Sequence, residues 1–169
     1  MSARDWGLAS AAIALFADQA SKLVLLYGFG LMSVMSGARI LTTPVLDLVM
    51  AWNSGVSFSF FSAHSHAGIA LLAAVETVGI CALALWLWRT QRPALSVGLG
   101  LVIGGALGNL VDRLVYGRVA DFFDLHLFGR DFFACNLADV AISLGVLLLL
   151  LDAATEPGKS AGRLQRETE

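Results

Sequence analysis

Four long apolar runs are separated by polar connections: roughly Trp6–Phe29, Ala67–Trp88, Ala94–Leu114 and Ala134–Ala153. Each is close to the ~20 residues a helix needs to cross a bilayer. The first run is too long for the apolar region of a signal peptide, carries Asp18 and Lys22, and lacks a clear cleavage site. It is therefore expected to stay as a span. Between the first two runs, residues 30–66 contain Arg39-Ile-Leu-Thr-Thr-Pro-Val-Leu-Asp-Leu-Val-Met-Ala-Trp52, rich in β-branched and apolar residues. Short strands are expected there, with Pro44 at an edge or turn. Val56–Phe61 alternates apolar residues with Ser, as a strand or an interfacial segment would. The expected architecture is an α-helical integral membrane protein, a bundle of four transmembrane helices with a small extracytoplasmic β-rich subdomain. Residues 1–155 would form the membrane domain, with the β-rich insertion at 30–66. Residues 156–169 would form a polar cytoplasmic tail.

Composition agrees with this picture. Hydrophobic residues make up 57% of the 169-residue chain and charged residues only 14%. The net charge of −2 says little about partners, and no basic patch with interleaved aromatics points to nucleic acid. With four spans the termini share a side, together with Arg4, the short loop Arg89-Thr-Gln-Arg92, Lys159, Arg163 and Arg166. The other side has Arg39, Arg113, Arg118 and Arg130. The doubly basic short loop favours cytoplasmic termini and outward-facing connections at 30–66 and 115–133. Two cysteines give no disulfide framework.

Several polar residues interrupt the apolar pattern. Asp18 and Lys22, four apart, share a helix face and can pair. Such a pair either fixes packing or touches substrate or lipid headgroup. Asn53-Ser-Gly55 suits a turn, and its amide could also hold a peptide carbonyl. In Gly104-Gly-Ala-Leu-Gly-Asn-Leu-Val-Asp-Arg113, Gly104 and Gly108 have the spacing of close helix packing. Asn109 and Asp112 share a face there, beside Arg113, whose fork suits a carboxylate or phosphate. A helix-end salt bridge is the alternative. Glu76 lies inside the second run, as a buried partner for a cation or as part of a proton path.

The fourth run opens with Cys135-Asn-Leu-Ala-Asp139 and continues apolar to Leu151. A carboxylate at the mouth of a lipid-embedded helix is costly and marks function. Asn136 and Asp139 share a face at i, i+3, and Asp121 lies upstream in the connection. Two close carboxylates cannot both ionise cheaply, which suits activation of water at a carbonyl. Spacing alone does not choose two among Asp112, Asp121 and Asp139. Asp124 and Asp131 are expected to be solvated. His64-Ser-His66 lacks further ligands, so no metal is expected. Cys135 with His126 would make a thiol protease, but a thiolate needs an electropositive setting and this one is apolar and acidic. A polytopic transporter or channel, with Asp18, Lys22, Glu76 and Asp139 as a polar pathway, is the rival class. It requires charges spread through the membrane depth, whereas an enzyme gathers them at one level.

Asp18-Gln-Ala-Ser-Lys22, Asn53-Ser-Gly-Val-Ser-Phe58, the Gly104–Arg113 segment, Val119-Ala-Asp-Phe122 and Asn136-Leu-Ala-Asp139, in this order, resemble lipoprotein signal peptidase, the type II signal peptidase of bacteria. The resemblance implies an inner-membrane aspartic endopeptidase with its site near the outer leaflet. It would remove the signal peptide of prolipoproteins just before a cysteine already bearing diacylglycerol. It implies Asp121 and Asp139 as the catalytic pair, and Asn53, Gly55, Asn109, Asp112, Arg113, Asn136, Asp18 and Lys22 as lining or bracing residues. It implies no cofactor, contact with membrane lipid, and inhibition by peptide antibiotics such as globomycin. Cys135 stands where the family usually has Phe, Ser57 where a small residue is usual, and Ala120 where a β-branched residue is common. None removes a functional group.

Overall fold

The computed structural model describes residues 1–55, 66–127 and 130–155. Four helices form: α1 (Ala3–Leu23), α2 (His66–Arg89), α3 (Pro93–Tyr116) and α4 (Leu137–Thr155). With the π-helical turn Val24–Gly28 that extends α1, all four are long and apolar enough to cross a membrane. Local chemistry sets their ends. Ser2 and Asp5 form a reciprocal capping box at the start of α1. Pro93 opens α3, where its missing N–H is not needed. Gly117 closes α3 in the left-handed region at φ 70°, with its N–H on the Arg113 carbonyl.

Helix α3 is the centre of the bundle. In its spanning window 56% of residues are buried, against 6% for α2. The reason is its glycine stripe. A Cβ at Gly100 or Gly104 would collide with the backbone of Gly7 or Ala11 on α1, and one at Gly105 with the Ala138 carbonyl on α4. Bare backbone lets α1 and α4 pack closely on either side, as the small-residue spacing predicts. At one end of the bundle Leu87, Leu95, Leu99 and Ile103 form a core. Ile13, Phe16, Leu71, Val78 and Leu150, each more than 60% exposed, point outward, as lipid-facing side chains do.

A four-stranded antiparallel sheet, in the order β1-β2-β3-β4, covers the other end. Strands β1 (Ala38–Leu41) and β2 (Leu46–Asn53) come from the first long connection, with Pro44 in the turn between them. Strands β3 (Val119–Leu127) and β4 (Arg130–Cys135) come from the connection between α3 and α4. The β-rich insertion expected at 30–66 is thus only half of the sheet. The join is the β2–β3 pairing, in which Ala51 lies opposite Asp121 and Asn53 opposite Val119. Leu26, Leu31, Met50, Ala120 and Phe122 are buried beneath it. The fourth span also starts later than its apolar pattern suggests, because Ala134 and Cys135 finish β4. Val56–Phe61, His64 and the tail from residue 156 lie outside the described residues.

Candidate active site

Asp121 is the third residue of β3, and Asp139 lies in the first turn of α4. Asn136, between β4 and α4, joins them. Its backbone N–H donates to Asp139 Oδ2 at 3.2 Å, while the Asp139 N–H donates to Asn136 Oδ1 at 3.0 Å. This is the reciprocal geometry of a capping box, so the Asn-x-x-Asp motif is first the start of a helix. The Asn136 side-chain amide then reaches the strand, donating to Asp121 Oδ1 at 2.7 Å. Asn53, at the end of β2, donates to Asp121 Oδ2 at 3.2 Å. Asn109 on α3 donates to Asp139 Oδ1 at 3.1 Å and accepts from the Asn136 amide at 3.1 Å. Three neutral amides therefore hold two carboxyl groups together.

Asp121 is 2% exposed. Burial first, and then the charge of neighbouring Asp139, push its carboxyl from 3.8 up to about 7. The Asn53 and Asn136 donors and the Lys22 charge pull the other way. A site of this kind holds a proton near neutral pH beside a second carboxyl group. That arrangement can both take and give a proton.

Lys22 stands one layer behind the pair. It lies 2.8 Å from both Asp18 Oδ2 and Asp112 Oδ2, and is 3.4 Å from Asn109 Oδ1. All three charged groups are almost fully buried. Each acid also holds a backbone element: Asp112 accepts the Ala120 N–H at 3.1 Å, and Asp18 accepts the Ala138 N–H at 3.0 Å. Asp18 thus sits at the N-terminus of α4, where the helix dipole favours an anion. Gln19, which the motif reading did not place in the site, donates to Asp18, the Gly108 carbonyl and Asp112. Its position next to Asp18, within an apolar run, was the available signal.

Arg113 does not reach the Asp121–Asp139 pair through any described hydrogen bond. It clamps Glu76 on α2, at 3.2 and 3.0 Å from the two carboxylate oxygens, and donates to the Gly55 carbonyl at 2.9 Å. Gly55 donates its N–H to Asn53 Oδ1 at 3.0 Å, so Arg113 braces the Asn53 turn from outside. Glu76 is therefore a cation partner, as one of its two readings held.

Other candidates separate from the site. Burial and the nearby acids push the Cys135 thiol up to about 11, the opposite of a nucleophile's setting. His126 is held elsewhere, 2.9 Å from Asp47 Oδ1. Asp124, expected to be solvated, is buried and lies 3.4 Å from Arg39, which also pairs with Asp47 at 2.7 Å. Burial pushes Asp47 up, but donors from Thr43, His126 and Arg39 outweigh it and leave the group below its ordinary value. Among the described residues no cluster of three or more His, Cys, Asp or Glu could hold a metal ion. The charges are not spread through the bundle as a transport pathway requires. Asp18, Lys22, Asp112, Arg113, Asp121 and Asp139 gather near the sheet end, and Glu76, near the middle of α2, is tied to that group by Arg113.

Residues 10–155 match the sequence profile of a family described as Signal peptidase (SPase) II. The chain is 44% identical over 151 residues to a lipoprotein signal peptidase of Nitrobacter hamburgensis, covering 87% of this chain and 90% of that protein. It is 46% identical over 154 residues to one from Rhodopseudomonas palustris, again covering 87% and 90%. The fold superposes on a bacterial membrane enzyme solved by the in meso method at 2.3 Å resolution, with a TM-score of 0.75 and 24% identity over 91% of this chain and 92% of that one.

Proposed function

This chain belongs to the signal peptidase II family, and from that premise we propose that Asp121 and Asp139 are its catalytic pair. The substrate is a membrane-inserted prolipoprotein, cut just before a cysteine that carries diacylglycerol. The signal helix lies along the bundle and brings the scissile amide between the two carboxyl groups. One carboxylate takes a proton from water as the water oxygen attacks the carbonyl carbon. The other group gives its proton to the leaving nitrogen as the C–N bond breaks. The pair begins each cycle with one shared proton, and the raised affinity of Asp121 is what keeps it there. Asn53, Asn109 and Asn136 fix the carboxyl groups, while Lys22, Asp18 and Asp112 hold the elements that carry them. Gly55 and Arg113 fix the adjoining turn. The observation that carries this reading is Asn136, bonded at once to Asp121 and to Asp139.

Orientation follows from the charges. The short Arg89–Arg92 loop stays in the cytoplasm of a bacterial inner membrane, and the sheet and site lie at the outer leaflet. Peptide antibiotics such as globomycin would compete for the cleft beside the pair. The direct test uses purified protein and a diacylglyceryl-cysteine peptide. Asp121→Asn and Asp139→Asn should each abolish cleavage, because Asn keeps the size but cannot exchange the proton. Wild-type turnover should decline as pH rises through about 7, where Asp121 loses its proton. Measurable turnover by either folded variant removes that residue from the pair.

A further inference from the structure

A cavity of about 680 Å³ opens between the start of α2 and the end of α3, and neither Asp121 nor Asp139 is among its described lining residues. Ile69, Ala70 and Ala73 of α2 and Leu114 of α3 give it apolar walls, and Arg113, Arg118 and His66 line its polar side. Among the described residues no acidic side chain lines it. Its depth is set by the chain. His66 begins one span, and Tyr116-Gly117-Arg118 ends another, so the cleft lies where two spans leave the apolar layer.

The two arginines differ. Arg113 is neutralised by Glu76. Arg118 is exposed and pairs with no carboxylate among the described residues. Its guanidinium lies over the Trp52 ring, 4.3 Å from the centroid, and Trp52 packs against Tyr116 at 5.5 Å. Stacking orders the guanidinium by its face and leaves the N–H edge for an acceptor. Below this charge the apolar wall continues down α2, the least buried of the four spans. A positive, pre-oriented head above an apolar helix crevice matches a lipid with an anionic headgroup.

We propose that this cleft holds one anionic glycerophospholipid, its phosphate on the Arg118 edge and its acyl chains along α2 and α3. Neither the catalytic assignment nor the peptide-cleavage reading is needed for it. The site is distinct from the Asp121–Asp139 pair and takes a neighbouring lipid, not the substrate's uncharged diacylglyceryl group.

The full chain, reconstituted in nanodiscs of phosphatidylglycerol and phosphatidylcholine in equal parts, tests this by native mass spectrometry. Wild type should retain one phosphatidylglycerol in preference to phosphatidylcholine. Arg118→Glu should lower that retention on the order of tenfold or more, since it reverses a charge near the headgroup. Arg118→Lys should keep part of it, and Arg89→Gln, at the opposite end of the bundle, should change nothing. Ala70→Trp fills the cleft from the other wall and should displace the lipid with Arg118 intact, which separates loss of the site from a folding defect. Equal retention of the two lipids by wild type overturns the proposal, as does unchanged retention in folded Arg118→Glu and Ala70→Trp. A third result also overturns it: no lipid preference, with Arg118→Glu instead raising KM for peptides acidic near the cleavage site. That would assign the cleft to the substrate chain.

Discussion

Replacing Asp121 by Asn should destroy activity and yet stabilise the protein, by an amount that depends on pH. Asp121 is 2% exposed, and its carboxyl rises from 3.8 to about 7 on folding. At 1.36 kcal/mol per pH unit, this corresponds to roughly 4 kcal/mol of preference for the protonated form in the fold. The folded state therefore binds the proton more tightly than the unfolded state. The group's contribution is fully present below about pH 4 and is lost as pH rises through 7. Asn has no proton to lose. Its oxygen can accept from either Asn53 or Asn136, as a neutral carboxyl group would, so it resembles the protonated state in size and bonding. The stability of Asp121→Asn relative to wild type should be near zero at pH 4. It should climb by about 1.4 kcal/mol per unit to pH 7 and then flatten. For a chain of this length the plateau corresponds to a rise in Tm on the order of 10 °C. Thermal unfolding of both proteins in one detergent, from pH 4 to 8.5, measures it. A difference that is constant with pH, or that falls as pH rises, refutes the claim that Asp121 holds its proton because it is buried beside Asp139.

Other perturbations separate the roles. Asp18→Ala leaves Lys22 with one acid and strips the Ala138 N–H of its acceptor. It should cost about 3–5 kcal/mol of stability, seen as a lower Tm, while folded protein still turns over saturating substrate. Cys135→Ala should retain turnover with the lipidated peptide, and its loss would bring the thiol back into the mechanism. Gly104→Val forces a side chain into the Ala11 backbone on α1 and should lower stability by about 1–3 kcal/mol or more. Gly79→Ala, where a Cβ meets open space, should be neutral or slightly stabilising by thermal shift.

The spans were legible because lipid demands a long, predominantly apolar run, and the sequence supplies four. The Asp18–Lys22 pair and the Gly104–Gly108 packing were legible too, since both depend only on helical spacing. Strands β3 and β4 were not. Val119, Ala120, Asp121 and Phe122 are all buried, so both faces of β3 are covered there and no alternation survives. The β2–β3 pairing also joins segments some seventy positions apart, which no local pattern encodes. Asp47 and Asp124 look like ordinary loop acids until β1, β2 and β3 bring Arg39 and His126 to them. Asn136 and Asp139 were placed on one helical face. They are instead a helix start, because a reciprocal cap and an i, i+3 face share the same spacing.

The choice of partners around the pair explains why its proton affinity stays near neutrality. Three asparagines from three different elements touch the carboxyl groups, and no cation does among the described contacts. An amide donor satisfies a buried oxygen without adding a full charge, so the repulsion between two acids persists and one proton is kept. Lys22, held between Asp18 and Asp112, lies behind Asn109 and reaches Asp121 only as a field. Direct contact between Lys22 and either acid would favour its ionised form and empty the pair of the proton that the proposed cleavage gives to the leaving nitrogen. The buried triad instead exerts its main effect through geometry: Asp112 fixes the Ala120 N–H beside one acid, and Asp18 fixes the start of the helix that carries the other. Charge thus holds the scaffold, while neutral amides hold the chemistry.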